Sequence, residues 1–196
     1  MVHKPETRPR GRPRGFDPAD VLKAASERFR THGFAGTSLD DLVDATGLAR
    51  PSLYAAFGDK RAIYLAALKR TYDWSSRGFD RLIAQDLPIS ESLTLMLGSI
   101  IDGYMSGECG PAGCIAISTA ATSAVDDPEI RDWLASFLKL EDDRIAELLT
   151  ARGDPHALAH AHIVSAVMHS LSVRARAGAG REELDAIARE CVELVA

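Results

Sequence analysis

Apolar residues recur at three- and four-residue spacing along most of the chain, and no stretch alternates for long enough to read as a strand, so the pattern predicts an all-α protein. Helix punctuation is explicit. Asp17-Pro18 places an N-cap before proline in the first turn, Gly33 supplies a stop, and Val21, Leu22, Ala25 and Phe29 share one face between them. The same device returns at Asp127-Pro128, closed by Gly153, and at Asp154-Pro155, running towards Gly178. Reading between such signals predicts about nine helices, over 18–32, 39–46, 50–57, 60–84, 90–106, 112–124, 128–151, 155–177 and 182–195. Short helices come first and long ones follow, with no Pro/Gly-rich linker near residue 60 and no internal repeat. The expected organisation is an arm over 1–15, a three-helix unit over 16–62 and a helical body over 63–196.

Within the three-helix unit, Ser38-Leu39-Asp40-Asp41 has the form of a capping box, with Asp in place of the more usual Glu or Gln. The helix it opens turns Leu39, Leu42 and Val43 inward and stops at Gly47, and a second short helix starts near Arg50. Two short helices joined by a glycine turn fit a helix-turn-helix, and equally an ordinary αα-hairpin. The segment Gly47-Leu48-Ala49-Arg50-Pro51-Ser52-Leu53-Tyr54-Ala55-Ala56-Phe57-Gly58-Asp59-Lys60 separates them. It resembles the signature of the TetR family of regulators, whose recognition helix ends in Leu-Tyr-x-x-Phe before a Lys opens the fourth helix. Gly33-Phe34, Thr37-Ser38 and Leu42-Val43 fit the same pattern, so the resemblance covers about residues 18–65.

The chemistry of these positions suits DNA. Residues at the start of the second helix would point into a major groove, where Arg50 can donate to guanine O6 and N7 or to a phosphate and Ser52 can reach a base edge or the backbone, with Pro51 presetting the first turn. Tyr54 and Lys60 are expected on phosphates, and Leu53 and Phe57 in the core. The resemblance implies the same roles, adds Thr37 as a phosphate contact, and places Ser38 beside it on the DNA side. Ala49 and Ala56 stand where the family commonly has Ser and His. The base-reading positions Arg50 to Ser52 are therefore atypical.

Charge sharpens this reading. The formal net charge of −5 divides into +4 over residues 1–15, −1 over 16–64 and −8 over 65–196. The arm carries Arg10, Arg12 and Arg14, and Arg10-Gly11-Arg12-Pro13 resembles an AT-hook, which lays Arg-Gly-Arg into the minor groove of A·T-rich DNA. It reads otherwise as a solubilising tail. An architectural DNA-coating protein led by this arm is the alternative to a regulator.

The acidic body is expected to dimerise and to hold an effector, as the resemblance implies. A two-fold pair of helix-turn-helix units reads a palindromic operator on double-stranded DNA. The last two helices are the candidate interface of a homodimer, through Ala161 and Ser165 on one and Leu184, Ile187 and Cys191 on the other. Trp74, Met96, Ile100, Tyr104, Ile117, Trp133 and Phe137 are candidates to line a pocket for an apolar or aromatic small molecule, and read equally as plain core. A repressor released by that effector is the expected function.

Cys109, Cys114 and Cys191 cannot all pair within one chain, and such sparse cysteine suits a reducing compartment. Cys114 enters a helix from a glycine-rich loop, where a helix N-terminus would lower a thiol pKa. It is a candidate redox or electrophile sensor, or else a small buried residue. His156 and His160 are four apart but lack an evident third ligand, so no metal and no cofactor is expected. No nucleophile elbow, phosphate loop or metal cluster points to an enzyme. No apolar run reaches the ~18 residues of a membrane span and the N-terminus lacks a signal-peptide core, so the cytoplasm is the expected compartment.

Overall fold

The computed structural model describes residues 16–107 and 109–196. The arm residues Arg10, Arg12 and Arg14 lie outside this range. Described residues are helical throughout, with no strand: α1 (Pro18–His32), α2 (Leu39–Thr46), α3 (Arg50–Phe57), α4 (Lys60–Ile83), α5 (Ile89–Met105), α6 (wound as π-helix over Ala116–Ala120 and finishing in an α-helical turn at Ala121–Ser123), α7 (Pro128–Ala151), α8 (Ala157–Arg176) and α9 (Arg181–Val195). None of these helices is long and apolar enough to cross a membrane.

The caps read from the sequence explain where the first helices begin and end. Asp17 accepts the Ala19 N–H at 2.8 Å, and the Gly33 N–H closes α1 on Phe29 O. Ser38 and Asp41 form the reciprocal capping box, with Asp41 N–H donating to Ser38 Oγ at 3.1 Å and Ser38 N–H to Asp41 Oδ2 at 2.8 Å. The Ser38 hydroxyl, which donates to Asp41 Oδ2 at 2.7 Å, together with the Ser38 N–H and Arg28, holds the Asp41 carboxyl well below the usual carboxylate range.

Two cores result. The first gathers Phe29, Leu42, Leu53, Ile63 and Tyr64, and reaches Ile115 and Ala120 on α6 and Ile130 on α7. Tyr64 stands edge-on to Phe29 at 4.9 Å, and its hydroxyl meets Thr119 Oγ1 at 2.8 Å. The expected division after residue 62 thus falls in a helix whose next two turns still serve the first core. The second packs α5, α7, α8 and α9 through residues such as Leu97, Ile101, Leu148, Val164, Met168, Leu171, Leu184 and Val195.

One element departs from its predicted form. A regular helix was expected over 112–124, yet residues 110–114 are non-helical and the following turns are π-wound. Gly113 causes this. Its φ is +67°, and a Cβ there would lie 2.7 Å from Ser172 O and from Ser118 Oγ, so the chain must cross α8 where only glycine fits. Helix α8 also starts later than expected, at Ala157. Asp154 still serves that end, accepting from His156 N–H and from His160 Nδ1, each at 2.8 Å.

The predicted dimer residues are placed differently from expectation. Ala161, Ser165, Leu184 and Cys191 are buried inside their own subunit, and Ile187 packs against the same core. Ser165 Oγ is further engaged, donating to Asp142 at 2.6 Å. A 3.6-residue period identifies a face without saying what covers it. Here the subunit itself covers that face, and the opposite side of α8 exposes Leu158, Ile163 and Val173.

Candidate functional site

Helix α3 is seated by one buried residue, Leu53, which leaves the rest of its first turns outward. Arg50, Pro51, Ser52 and Tyr54 are all exposed. Ala49 makes no side-chain cap, so the helix starts with Ser52 and Leu53 N–H groups donating to Ala49 O and with Pro51 in the first turn, where a missing N–H costs nothing. Arg50 is tied to Asp40 of α2 across the turn, with the two side chains 50% and 80% exposed.

Lys60 and Thr37 do a different job from the one expected of them. Lys60 Nζ donates to Phe34 O and Thr37 O, each at 2.9 Å, and sits 4.3 Å from the centre of the Phe34 ring. Thr37 is fully buried and its hydroxyl donates to Gly33 O at 2.7 Å. Together they fix the α1–α2 turn from the start of α4. Ser38 is exposed, but its hydroxyl serves the capping box.

Between α4, α5, α7 and α8 lies a cavity of about 480 Å³. Trp74, Met96, Ile100, Tyr104 and Phe137 line it, as expected. Ile117 and Trp133 do not. Ile115, just ahead of the π-wound turns of α6, takes the wall position, and Trp133 packs against the first core, stacking on Phe137 at 5.2 Å from outside the cavity lining.

The sequence reading also missed the polar part of this wall. Glu141 is buried at 4% exposure, with Oε2 accepting from His169 Nε2 at 2.8 Å, and burial raises its pKa. Its helical spacing from Phe137 and Ile145 placed it on the inward face of α7, a signal obscured by its neighbours Asp142 and Asp143. Arg30 of α1 reaches the cavity floor and donates to Gly103 O at 2.8 Å, Ser106 O at 2.8 Å and Gly113 O at 3.2 Å. No local pattern marks such a contact across more than 70 residues.

Cys114 is on the same wall, and the structure reverses the expectation for its thiol. Burial and the nearby Glu141 carboxylate push its pKa up to about 11, outweighing the N–H groups of Ile117 and Ala116. A thiol held protonated is a poor nucleophile. His156 and His160 meet edge-on at 5.8 Å, and no metal-binding cluster occurs among the described residues.

A short, firmly seated helix presenting an uncovered N-terminal face, ahead of a helical body with its own cavity, defines a helix-turn-helix transcriptional regulator. Residues 21–67 match the family described as bacterial regulatory proteins, tetR family. The chain is similar to the HTH-type transcriptional repressor ComR of Escherichia coli strain K12, 32% identical over 193 residues that span 94% of this chain and 91% of that protein. It is also similar to the HTH-type transcriptional repressor BdcR of the same organism, 30% identical over 195 residues, 100% of this chain and 97% of that protein. Among solved structures it resembles a cysteine variant of the TetR family transcriptional regulator CifR complexed with 26-base-pair operator DNA, at TM-score 0.79 and 26% identity, covering 95% and 100% of the two chains. The chain belongs to the TetR family and is a DNA-binding transcriptional regulator.

Proposed function

We propose that this chain is a cytoplasmic homodimeric repressor without enzymatic activity, bound to a palindromic operator and released from it by a small molecule in the α4–α8 cavity. The uncovered N-terminal face of α3 carries this reading: Arg50, Pro51 and Ser52 would meet base edges and Tyr54 a phosphate. Lys60 and Thr37 act there by holding the turn. The arm through Arg10, Arg12 and Arg14 would add minor-groove and phosphate contacts, steepening the salt dependence by about 0.9 per phosphate neutralised. The repressor names of ComR and BdcR, and the operator complex of CifR, support the same reading.

Footprinting on DNA flanking the gene is expected to show two protected half-sites about one helical turn apart, lost with Tyr54→Ala. Uniform protection without a palindrome would instead favour an architectural DNA-coating protein.

Dimerisation is assigned to the outer face of α8 with α9. Leu158, Ile163, Val173 and Leu194 are 62%, 39%, 55% and 67% exposed, and Ala159 and Ala166 lie between the first three at helical spacing. Such a stripe on an otherwise acidic body calls for a partner. Ile163→Glu would place one carboxylate from each subunit in the joint. It is expected to raise the dimer dissociation constant at least ~tenfold, seen as monomer in sedimentation, with helicity unchanged. A persistent dimer would move the interface elsewhere.

A further inference from the structure

The cavity has a polar end that an apolar effector would leave unused. Tyr104 is buried, at 9% residue exposure, and lines the cavity with no hydrogen bond from its hydroxyl to the described residues. Burial, and the proximity of Cys114 and Glu141 in their ionised forms, push its pKa up. Glu141 uses Oε2 for His169, keeps further acceptor capacity, and lines the cavity. Polar groups on an otherwise apolar wall ordinarily find a partner in whatever fills the cavity. Both groups accept hydrogen bonds, and Trp74, Phe79 and Phe137 line the same cavity.

We propose that the cavity selects a lipophilic organic cation, an amine head carried on an aromatic body. An ammonium group would give Glu141 a second charge-assisted bond beside His169, supply the donor that Tyr104 lacks, and leave the aromatic rings to surround the charge. The wall's cations do not compete for an anionic ligand at that end. Arg30 is occupied by Glu27 and three backbone carbonyls, and Arg81 lies on the exposed rim.

This inference rests on the cavity being the effector site, and its test separates the two. The full chain is titrated calorimetrically with three probes sharing one body: 4-(biphenyl-4-yl)butan-1-amine, the corresponding alcohol and the corresponding carboxylic acid. The amine is expected to bind at least ~tenfold tighter than the alcohol, as for a hydrogen bond to a charged group, and the acid weakest. Glu141→Gln keeps an acceptor for His169 and should bring the amine to within about twofold of the alcohol, since the ion pair is gone. Tyr104→Phe, which removes only the unpartnered hydroxyl, should weaken the amine several-fold, and it keeps the test decisive should the Glu141 variant fail to fold. Equal or tighter binding of the alcohol or acid, an amine advantage that survives Glu141→Gln, or no binding by any probe overturns the proposal. Operator release is read separately by adding the amine to the protein–DNA complex. Tight amine binding without release would refute the effector role of the cavity and leave its cation selectivity standing.

Discussion

Arg50→Ala is expected to weaken operator binding by roughly two orders of magnitude or more, whereas Asp40→Asn is expected to strengthen it. In the free protein these two side chains hold each other at the mouth of the helix-turn-helix, half and four-fifths exposed. An exposed pair of this kind contributes only about 0–1 kcal/mol, so neither variant should unfold the chain. On DNA the guanidinium is worth far more. One bidentate contact to guanine discriminates by about 1–3 kcal/mol, and a dimer makes it twice, for roughly 2–6 kcal/mol in total. Before Arg50 can reach a base it must leave Asp40, and that carboxylate then faces a phosphate backbone of its own sign. Asn at position 40 removes both penalties, with an expected gain of severalfold, greatest at low salt. Fluorescence anisotropy at fixed ionic strength, with thermal unfolding as the control, decides the matter. An Arg50→Ala affinity within twofold of the parent would exclude a base contact. Weakening by Asp40→Asn would make the pair a positioning device instead.

The DNA-binding end was the most legible part of this chain because its geometry is set locally. Asp17-Pro18, the Ser38–Asp41 box and Gly47 each act within four residues, and the structure puts caps or stops at all three. What was illegible depends on distant partners. Thr37 and Lys60 looked like phosphate ligands because they are polar and sit at turns, yet two bonds from Lys60 of α4 to the α1–α2 turn, and one from Thr37 within that turn, occupy them. The small-residue face of α8 looked like a subunit interface because periodicity cannot distinguish a neighbouring helix of the same chain from one of another. Helix α6 was misphased because a close approach to Ser172 forces Gly113 out of helical geometry, and no local rule contains that neighbour. The cavity was half visible. Its large side chains were found by size and spacing, while Glu141 was hidden in an acidic run and Arg30 in the last turn of another helix.

Arg30 therefore supports the other large expected effect. Its guanidinium, only 15% exposed at the side chain, binds Glu27 and gathers the carbonyls of Gly103, Ser106 and Gly113, so one residue of α1 closes the C-terminal end of α5 and the glycine strap on the cavity floor. Arg176 of α8 completes the joint from the other side, donating to Arg30 O at 2.8 Å and to Thr31 O at 3.1 Å. These carbonyls end helices or lie in a loop, with no further helical turn to supply donors. Arg30→Met retains the stem and removes the donors. Charge-assisted bonds contribute about 1.5–3 kcal/mol each, and partial exposure lets water replace some of them, so a net loss of about 3 kcal/mol is expected. For a chain of this length that is roughly 6–12 °C in Tm. Arg30→Lys should recover less than half, because one ammonium cannot span carbonyls on both sides of the strap. The same variant tests how the cavity reaches DNA. Coupling between two sites is ordinarily worth about 1–3 kcal/mol, and a ligand moves an equilibrium only through contacts that differ between the two states. Arg30 touches the cavity with its side chain and the DNA-binding unit with its backbone, so Arg30→Met should still bind a cavity ligand while that ligand changes operator affinity by less than about twofold, below the coupling expected of the intact joint. Undiminished release would route the coupling through a different tie, such as Arg61 of α4, which grips Asp127 at 2.6 Å at the start of α7.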